Sequence, residues 1–306
     1  MLDKATATAI STGTEIRSYR RIPVDDAGTM QYPGIPFPDG PAECGYSMVG
    51  EIVEVGADVD GFEVGDRVFL GEGHKEYAAA SASDVVKLPD SIPTQQAVML
   101  NLLGVAHIAL RTGEPTPGEN VAVVGLGVIG QSAVAWCRAF GFPTVGIDLD
   151  RRRLEVASAM GANAVASPDD AGFQSRVDDV FDGEGADMAI EAASSWTATR
   201  TSMDIVRRDA RVVVTATHVD RPDYNPVGHP YLSQRITLKT AYGYDAPGQR
   251  WDRGRCMRLT VDMLSRGRLA IEPMITHRVT WNQLPDIYQR IDQGDLSILG
   301  VVVDWT

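Results

Sequence analysis

The chain has 306 residues, with 41 acidic side chains against 28 Lys and Arg, a formal charge of −13. That length fits two domains of about 150 residues each, and 44% hydrophobic with 23% charged content is an ordinary globular balance. So acidic a chain repels phosphate backbones, which argues against nucleic-acid binding as the main activity.

Residues 4–90 read as β structure. The short apolar runs Gly50–Val55, Arg67–Leu70 and Val85–Leu88 are broken by Gly, Pro and Asp, the pattern of a barrel or sandwich. Pro23, Pro33, Pro36, Pro38 and Pro41 forbid regular structure over residues 23–41 and predict a long loop. After Pro93, Gln95–Thr112 reads as a helix that is apolar on most faces and therefore buried. From Asn120, strands and helices alternate: VAVVG, the helix GQSAVAWCRAFG, TVGID, the helix RRRLEVASAMG, MAIEAA, a helix from Thr197 to Val206, and RVVVTAT. This alternation predicts an α/β fold with a parallel sheet covered on both faces. ITLKTAYG adds a strand, residues 251–266 a helix, and GVVVDW a closing strand placed to return to the first domain.

Cys44, Cys137 and Cys256 are far apart, with no CxxC and no Cys/His cluster. Neither a disulfide framework nor a structural zinc site is suggested, and free thiols in a reducing cytoplasm are the simplest reading. No apolar run approaches the roughly 18 residues of a membrane span, so no membrane association is expected. The start, MLDKATATAI, lacks the basic and apolar stretches of a signal peptide. The basic residues are 24 Arg against 4 Lys, and the acids 28 Asp against 13 Glu. Two readings stand side by side: a salt-adapted surface whose self-repulsion is screened, or the codon bias of a GC-rich genome.

Gly125-Leu126-Gly127-Val128-Ile129-Gly130 is a GxGxxG motif between a strand and a helix. In that setting Gly125 permits a tight turn, Gly127 lets backbone approach a pyrophosphate, and Gly130 lets helix and strand pack closely. The helix start supplies unpaired N–H groups to the phosphates. Asp148 closes the next strand, 23 residues after Gly125, where a carboxylate accepts hydrogen bonds from the adenosine ribose. It would repel a 2′-phosphate and so favours NAD. Arg151, Arg152 and Arg153 pull toward NADP, but they open a helix and sit farther from the strand end, so NAD is the preferred cofactor.

A β-rich segment, a dinucleotide fold and a return segment together resemble the medium-chain dehydrogenase/reductase family over nearly the whole chain. The landmarks are Gly50-Glu-Ile-Val-Glu-Val-Gly56, Val64-Gly-Asp-Arg-Val68, GLGVIG, and Gly161-Ala162. The resemblance implies a Rossmann domain over residues 103–243 and a GroES-like β-barrel catalytic domain, here shortened, over residues 1–102 and 244–306. It implies a small-molecule substrate meeting the nicotinamide, a homodimer or homotetramer, and nicotinamide held against backbone near Ala192 and Thr215. It places Arg153 among the cofactor contacts.

The departures from that family are specific. Its zinc-ligand Cys aligns with Thr12, its Gly-His-Glu with Gly45-Tyr46-Ser47, and its third ligand region with Asn101. None is a good zinc ligand, so no zinc is expected. The pattern is similar to the family's zinc-less branch, which holds the bacteriochlorophyllide a dehydrogenases. The family's chains also carry residues ahead of the strand that here begins near Lys4, so an exposed sheet edge is expected, or one covered by another segment or subunit.

Thr14 matches the family's Ser/Thr that hydrogen-bonds the substrate oxygen, and Tyr46 replaces a ligand and should point into the same cavity. Glu15 aligns with an acid near the metal site and is placed to hold Tyr46 or an arginine. His74, in Gly71-Glu-Gly-His-Lys-Glu-Tyr77, is the candidate terminal base, with a solvated loop as the competing reading. His107 and His277 read as structural. His218 and His229 are split between loop and site roles. The leading function is zinc-independent, NAD-dependent hydride transfer on a polyol, cyclitol or larger secondary alcohol. The alternatives are quinone or enone reduction and non-catalytic NAD binding.

Overall fold

The computed structural model describes residues 1–20, 44–218 and 220–306. The proline-rich loop expected at residues 23–41 lies outside the described residues. In chain order the elements are β1 (Leu2–Ile10), α1 (Thr12–Arg20), β2 (Met48–Glu54), β3 (Arg67–Leu70), β4 (Tyr77–Ala79), β5 (Val86–Lys87), α2 (Thr94–Ala97) and α3 (Leu100–Gly113). They continue with β6 (Val121–Val124), α4 (Val128–Phe140), β7 (Thr144–Ile147), α5 (Arg151–Met160), β8 (Ala164–Ala166), α6 (Phe173–Phe181), β9 (Ala186–Glu191), α7 (Trp196–Asp204) and β10 (Val206–Val214). The last are α8 (Tyr231–Gln234), β11 (Thr237–Thr240), α9 (Arg253–Ser265), β12 (Ile275–Thr280), α10 (Leu284–Asp292) and β13 (Gly300–Asp304).

The chain forms two compact units. One holds Met1–Gly104, Asp245–Arg268 and Ile275–Thr306; the other holds Val105–Tyr244 and Leu269–Met274. The first contains a seven-stranded sheet in the order β12-β13-β1-β2-β3-β5, with β4 also paired to β1. Its closing strand β13 pairs antiparallel with β1 from Ala7↔Asp304 to Ile10↔Val301. β1 is therefore central in this sheet: β2 and β4 pair its first half, β2 and β13 its second. Ala5, Met48, Ile52, Val68, Leu70 and Ala78 pack one core there, and Ile10, Ile287, Val301 and Val303 another.

The second unit holds an all-parallel sheet in the order β11-β10-β9-β6-β7-β8. Its strands β6 and β7 are buried throughout, which is why they read as unbroken apolar runs. The strand order reverses between β6 and β9, the switch point where open α/β sheets form a ligand crevice. His107 is structural: it is 2% exposed, lies 4.7 Å from the Trp136 ring, and burial holds it down at about 4.

Three helices correct the sequence reading. α1 falls in the stretch expected to be β: the Glu15 carboxylate accepts the Ser11 N–H at 2.6 Å and caps the helix start. The apolar signal there is weak, so only the cap marks it. α6 and α10 are additional, the latter opened by Pro285 after a capping box of Thr280 and Gln283. The helix expected to reach Val206 stops at Asp204, because Val206 already pairs with Ala186 in the sheet. The single helix expected over Gln95–Thr112 is two, α2 and α3.

Candidate functional site

In the parallel unit, Gly125 follows β6 with φ +90°, and a Cβ there would stand 2.6 Å from the Ala193 backbone N. A Cβ at Gly130 would lie 1.9 Å from the Gly125 carbonyl oxygen, so helix and turn touch with nothing between them. Gly127 meets the opposite condition: a Cβ there would meet no atom within 4 Å. Gly127 also caps α4 without any side-chain hydrogen bond, leaving the first-turn N–H groups around Val128, Ile129 and Gly130 to a ligand. An open cradle over unpaired N–H groups fits a dinucleotide pyrophosphate.

Asp148 ends up against this loop. Its Oδ2 accepts the Leu126 N–H at 2.6 Å and its Oδ1 the Asp150 N–H at 2.9 Å. Arg153 Nη1 lies 3.8 Å from Asp148 Oδ2, while Arg151 turns away to Asp170 at 2.5 Å. The Ala192 N–H donates to Val124 O at 2.8 Å and the Thr215 N–H to Glu191 O at 2.9 Å, which fixes both residues at the strand ends.

Glu191 and His218 join this region. Glu191 is fully buried at the end of β9, and its Oε1 accepts the Ala193 N–H at 2.8 Å. Its Oε2 lies 3.5 Å from His218 Nε2. Burial pushes the Glu191 carboxyl up, and the facing imidazole pulls it the other way. Sequence reading weighed His218 but missed Glu191; a lone acid closing a buried strand was the available signal. His229 is exposed on its loop, and His277 lies on β12 with Nε2 3.3 Å from Arg290.

In the other unit a polar cluster gathers around Glu15. Besides the Ser11 N–H, this carboxylate accepts His74 Nε2–H at 3.0 Å and the Tyr288 hydroxyl. His74 Nδ1 is 2.6 Å from Thr8 Oγ1, which also accepts the Trp305 indole N–H at 2.9 Å. The His74 and Glu15 side chains are 5% and 3% exposed. Burial, then the Glu15 charge, pushes the Tyr288 hydroxyl far up, so it remains a donor. A Cβ at Gly45 would stand 3.0 Å from His74 Nε2, so Gly45 lets the chain before Tyr46 lie on that ring.

His74, the candidate terminal base, is 5% exposed and not the solvated loop residue of the competing reading. Both ring nitrogens are engaged inside the protein, and the ring positions Glu15. The expected partners of Glu15, Tyr46 or an arginine, give way to Ser11, His74 and Tyr288. Tyr46 is half-buried and its hydroxyl donates to Ser11 Oγ at 2.6 Å. Thr14 is half-buried in the first turn of α1, three residues after Ser11. Ser11, Thr8, Tyr288 and Trp305 were not legible as site residues, being separated by up to 297 positions from the groups they meet.

The positions aligned with zinc ligands do not fit a zinc ion. Ser47 Oγ donates to Val98 O at 2.6 Å, the Asn101 amide donates to the Tyr46 carbonyl, and Thr12 and Tyr46 offer neutral hydroxyls. Among the described residues no three His, Cys, Asp or Glu side chains are grouped to hold a metal.

The zinc-binding dehydrogenase family model matches residues 128–254, and the alcohol dehydrogenase GroES-like domain model residues 9–90. Sorbitol dehydrogenase of Bacillus subtilis is 26% identical over 85% of this chain and 80% of its own length. The fold is shared with 2R,3R-butanediol dehydrogenase of Bacillus subtilis, at 20% identity and TM-score 0.80 over 100% of this chain and 92% of that one. It is shared also with a short chain alcohol dehydrogenase of Escherichia coli CFT073 complexed with NADH, at 19% identity and TM-score 0.80 over 99% and 91%.

Proposed function

Because the chain belongs to the medium-chain dehydrogenase/reductase family, we propose that this oxidoreductase uses NAD, without zinc, to interconvert a secondary alcohol and its ketone. A polyol, cyclitol or larger secondary alcohol is the substrate class. Relatives named for sorbitol and xylulose favour an alcohol over a quinone or enone. The observation that carries the reading is the hydrogen bond from the Tyr46 hydroxyl, at a ligand-aligned position, to Ser11 Oγ, with Thr14 three residues on from Ser11.

NAD, when bound over Gly127, supplies the hydride acceptor for oxidation. The Tyr46 proton is directed at Ser11 Oγ, so toward a substrate hydroxyl the phenol oxygen acts as an acceptor. Thr14 holds the same oxygen and passes its proton outward. Hydrogen bonds take the part that a Lewis acid plays elsewhere. The Glu15–His74–Tyr288 cluster fixes the first turn of α1, and thereby Thr14, so the site is organised before substrate arrives. Asp148 beside Leu126 favours NAD over NADP, with Arg153 as the opposing influence.

Thr14→Val tests this chemistry. Turnover should fall by about 10²-fold, the lower end of what a positioned proton-transfer group contributes, with NADH affinity unchanged. Unaltered turnover would remove Thr14 from the reaction.

Three further features belong to the proposal. The unpaired side of β11, with Leu238 and Tyr242 exposed near it, supports a homodimer or homotetramer, which sedimentation would check. Three free thiols support a cytoplasmic location, and no helix among the described residues is long and apolar enough to cross a membrane; fractionation of the source cells would check this. The −13 charge supports salt adaptation, which a rise of Tm toward molar salt would bear out and a maximum in dilute buffer would reject.

A further inference from the structure

Arg253 opens α9, and its guanidinium lies against Gly71. A Cβ at Gly71 would stand 3.2 Å from Arg253 Nη2 and 3.8 Å from Asn101 Nδ2, so the two nitrogen donors flank one glycine. The Asn101 amide in turn donates to the Tyr46 carbonyl. Asn101 therefore joins the Arg253–Gly71 contact to the residue that faces the reacting oxygen in the reading above.

Arg253 is half-buried as a residue, and its Nη1 donates to the Asp84 carbonyl at 3.2 Å in an exposed hydrogen bond. No carboxylate of the described residues lies within ion-pair distance of it, although the chain has 41 acids. Arg207, Arg211 and Arg235 each hold an acid at 2.5 Å or closer. A guanidinium carries five N–H donors in a planar fork suited to carboxylate and phosphate oxygens. Here most of that fork is unspent. Gly71 keeps its approach open, since any side chain there would crowd Nη2.

We propose that Arg253, with Asn101 beside it, anchors an anionic group of the substrate, a carboxylate or a phosphate monoester, while Tyr46 and Thr14 hold the alcohol. The inference rests on the alcohol dehydrogenase reading and narrows its substrate to an acidic or phosphorylated polyol. Asn101 contributes the remaining N–H of its amide at the third ligand-aligned position, and Arg253 contributes the charge.

The test uses full-length protein saturated with NADH, so that the dinucleotide loop is already occupied. Inorganic phosphate and acetate are titrated separately by calorimetry into the wild type, Arg253→Gln, Arg253→Lys and, as a control, Arg266→Gln. Wild type and the Arg266 variant should bind at least one of the two anions saturably. Arg253→Gln should weaken that binding by about tenfold or more, as loss of a charge-assisted hydrogen bond does, with Arg253→Lys intermediate. Binding of phosphate alone assigns a phosphate ester, and of acetate alone a carboxylate. Binding of neither anion, or equal binding by wild type and the Arg253 variants, overturns the inference while retained NADH binding leaves the parent reading standing. Failure of wild type to bind NADH overturns both.

Discussion

The two polar regions of this molecule are built in opposite ways. The dinucleotide loop is one contiguous run, Gly125 to Gly130, whose conformation is dictated by which Cβ atoms are missing. The Glu15 cluster draws on Thr8, Ser11, His74, Tyr288 and Trp305, delivered by β1, the residue joining β1 to α1, a loop, α10 and the end of the chain. In the first region the backbone is the binding group and its neighbours make room. In the second, one buried carboxylate serves three donors, and the fold must close before any of them is satisfied.

The sharpest way to break this contrast is Glu15→Ala. It strands the Ser11 N–H, the His74 N–H and the Tyr288 hydroxyl in a buried site, at a cost on the order of 3–5 kcal/mol. Thermal unfolding should show a large fall in Tm. A change within measurement error would mean that the cluster is incidental to the fold.

Asp148→Ala probes the other region and should be milder. Losing its hydrogen bonds to ribose and to Leu126 should weaken NADH binding by about 1.5–3 kcal/mol and narrow the preference over NADPH. Tighter NADPH binding by the wild type would reverse the cofactor assignment.

The smallest effect is expected at Asp3, whose carboxyl is fully buried in the first unit with no hydrogen bond on either oxygen. Burial raises it, with the chain's amino terminus pulling the other way. A carboxyl raised in the folded state favours folding at low pH and opposes it as pH rises through the folded value. Asp3→Val should therefore stabilise the protein at pH 7 by about 1–3 kcal/mol, and the gain should shrink as pH falls toward about 4. An equal gain at both pH values would show that charge burial is not its cause.

The same contrast explains what the sequence disclosed. The GLGVIG run, the buried strands β6 and β7, and Asp148 at the end of β7 are local signals, each readable within a few residues. The two-domain α/β reading followed from them. α1 was hidden because its marker is a cap in which Glu15 bonds back to Ser11, not an apolar stripe. His74 was visible as a candidate, yet its role depends on Thr8, 66 positions away, and on Glu15, 59 away. Tyr288 lies on a helix the sequence did not disclose, and only the fold set its hydroxyl on Glu15. Arg253 was one of 24 arginines, and only its place at Gly71, across from Asn101, sets it apart.

The central claim is dehydrogenation with NAD and without zinc, and the most direct measurement couples metal content to turnover. Purified protein is assayed by elemental analysis and by NAD reduction over a panel of neutral, acidic and phosphorylated polyols, before and after exhaustive chelation. The account predicts zinc far below one ion per chain and undiminished turnover of a panel member after chelation. One zinc per chain, lost together with activity and restored by adding zinc back, would contradict it.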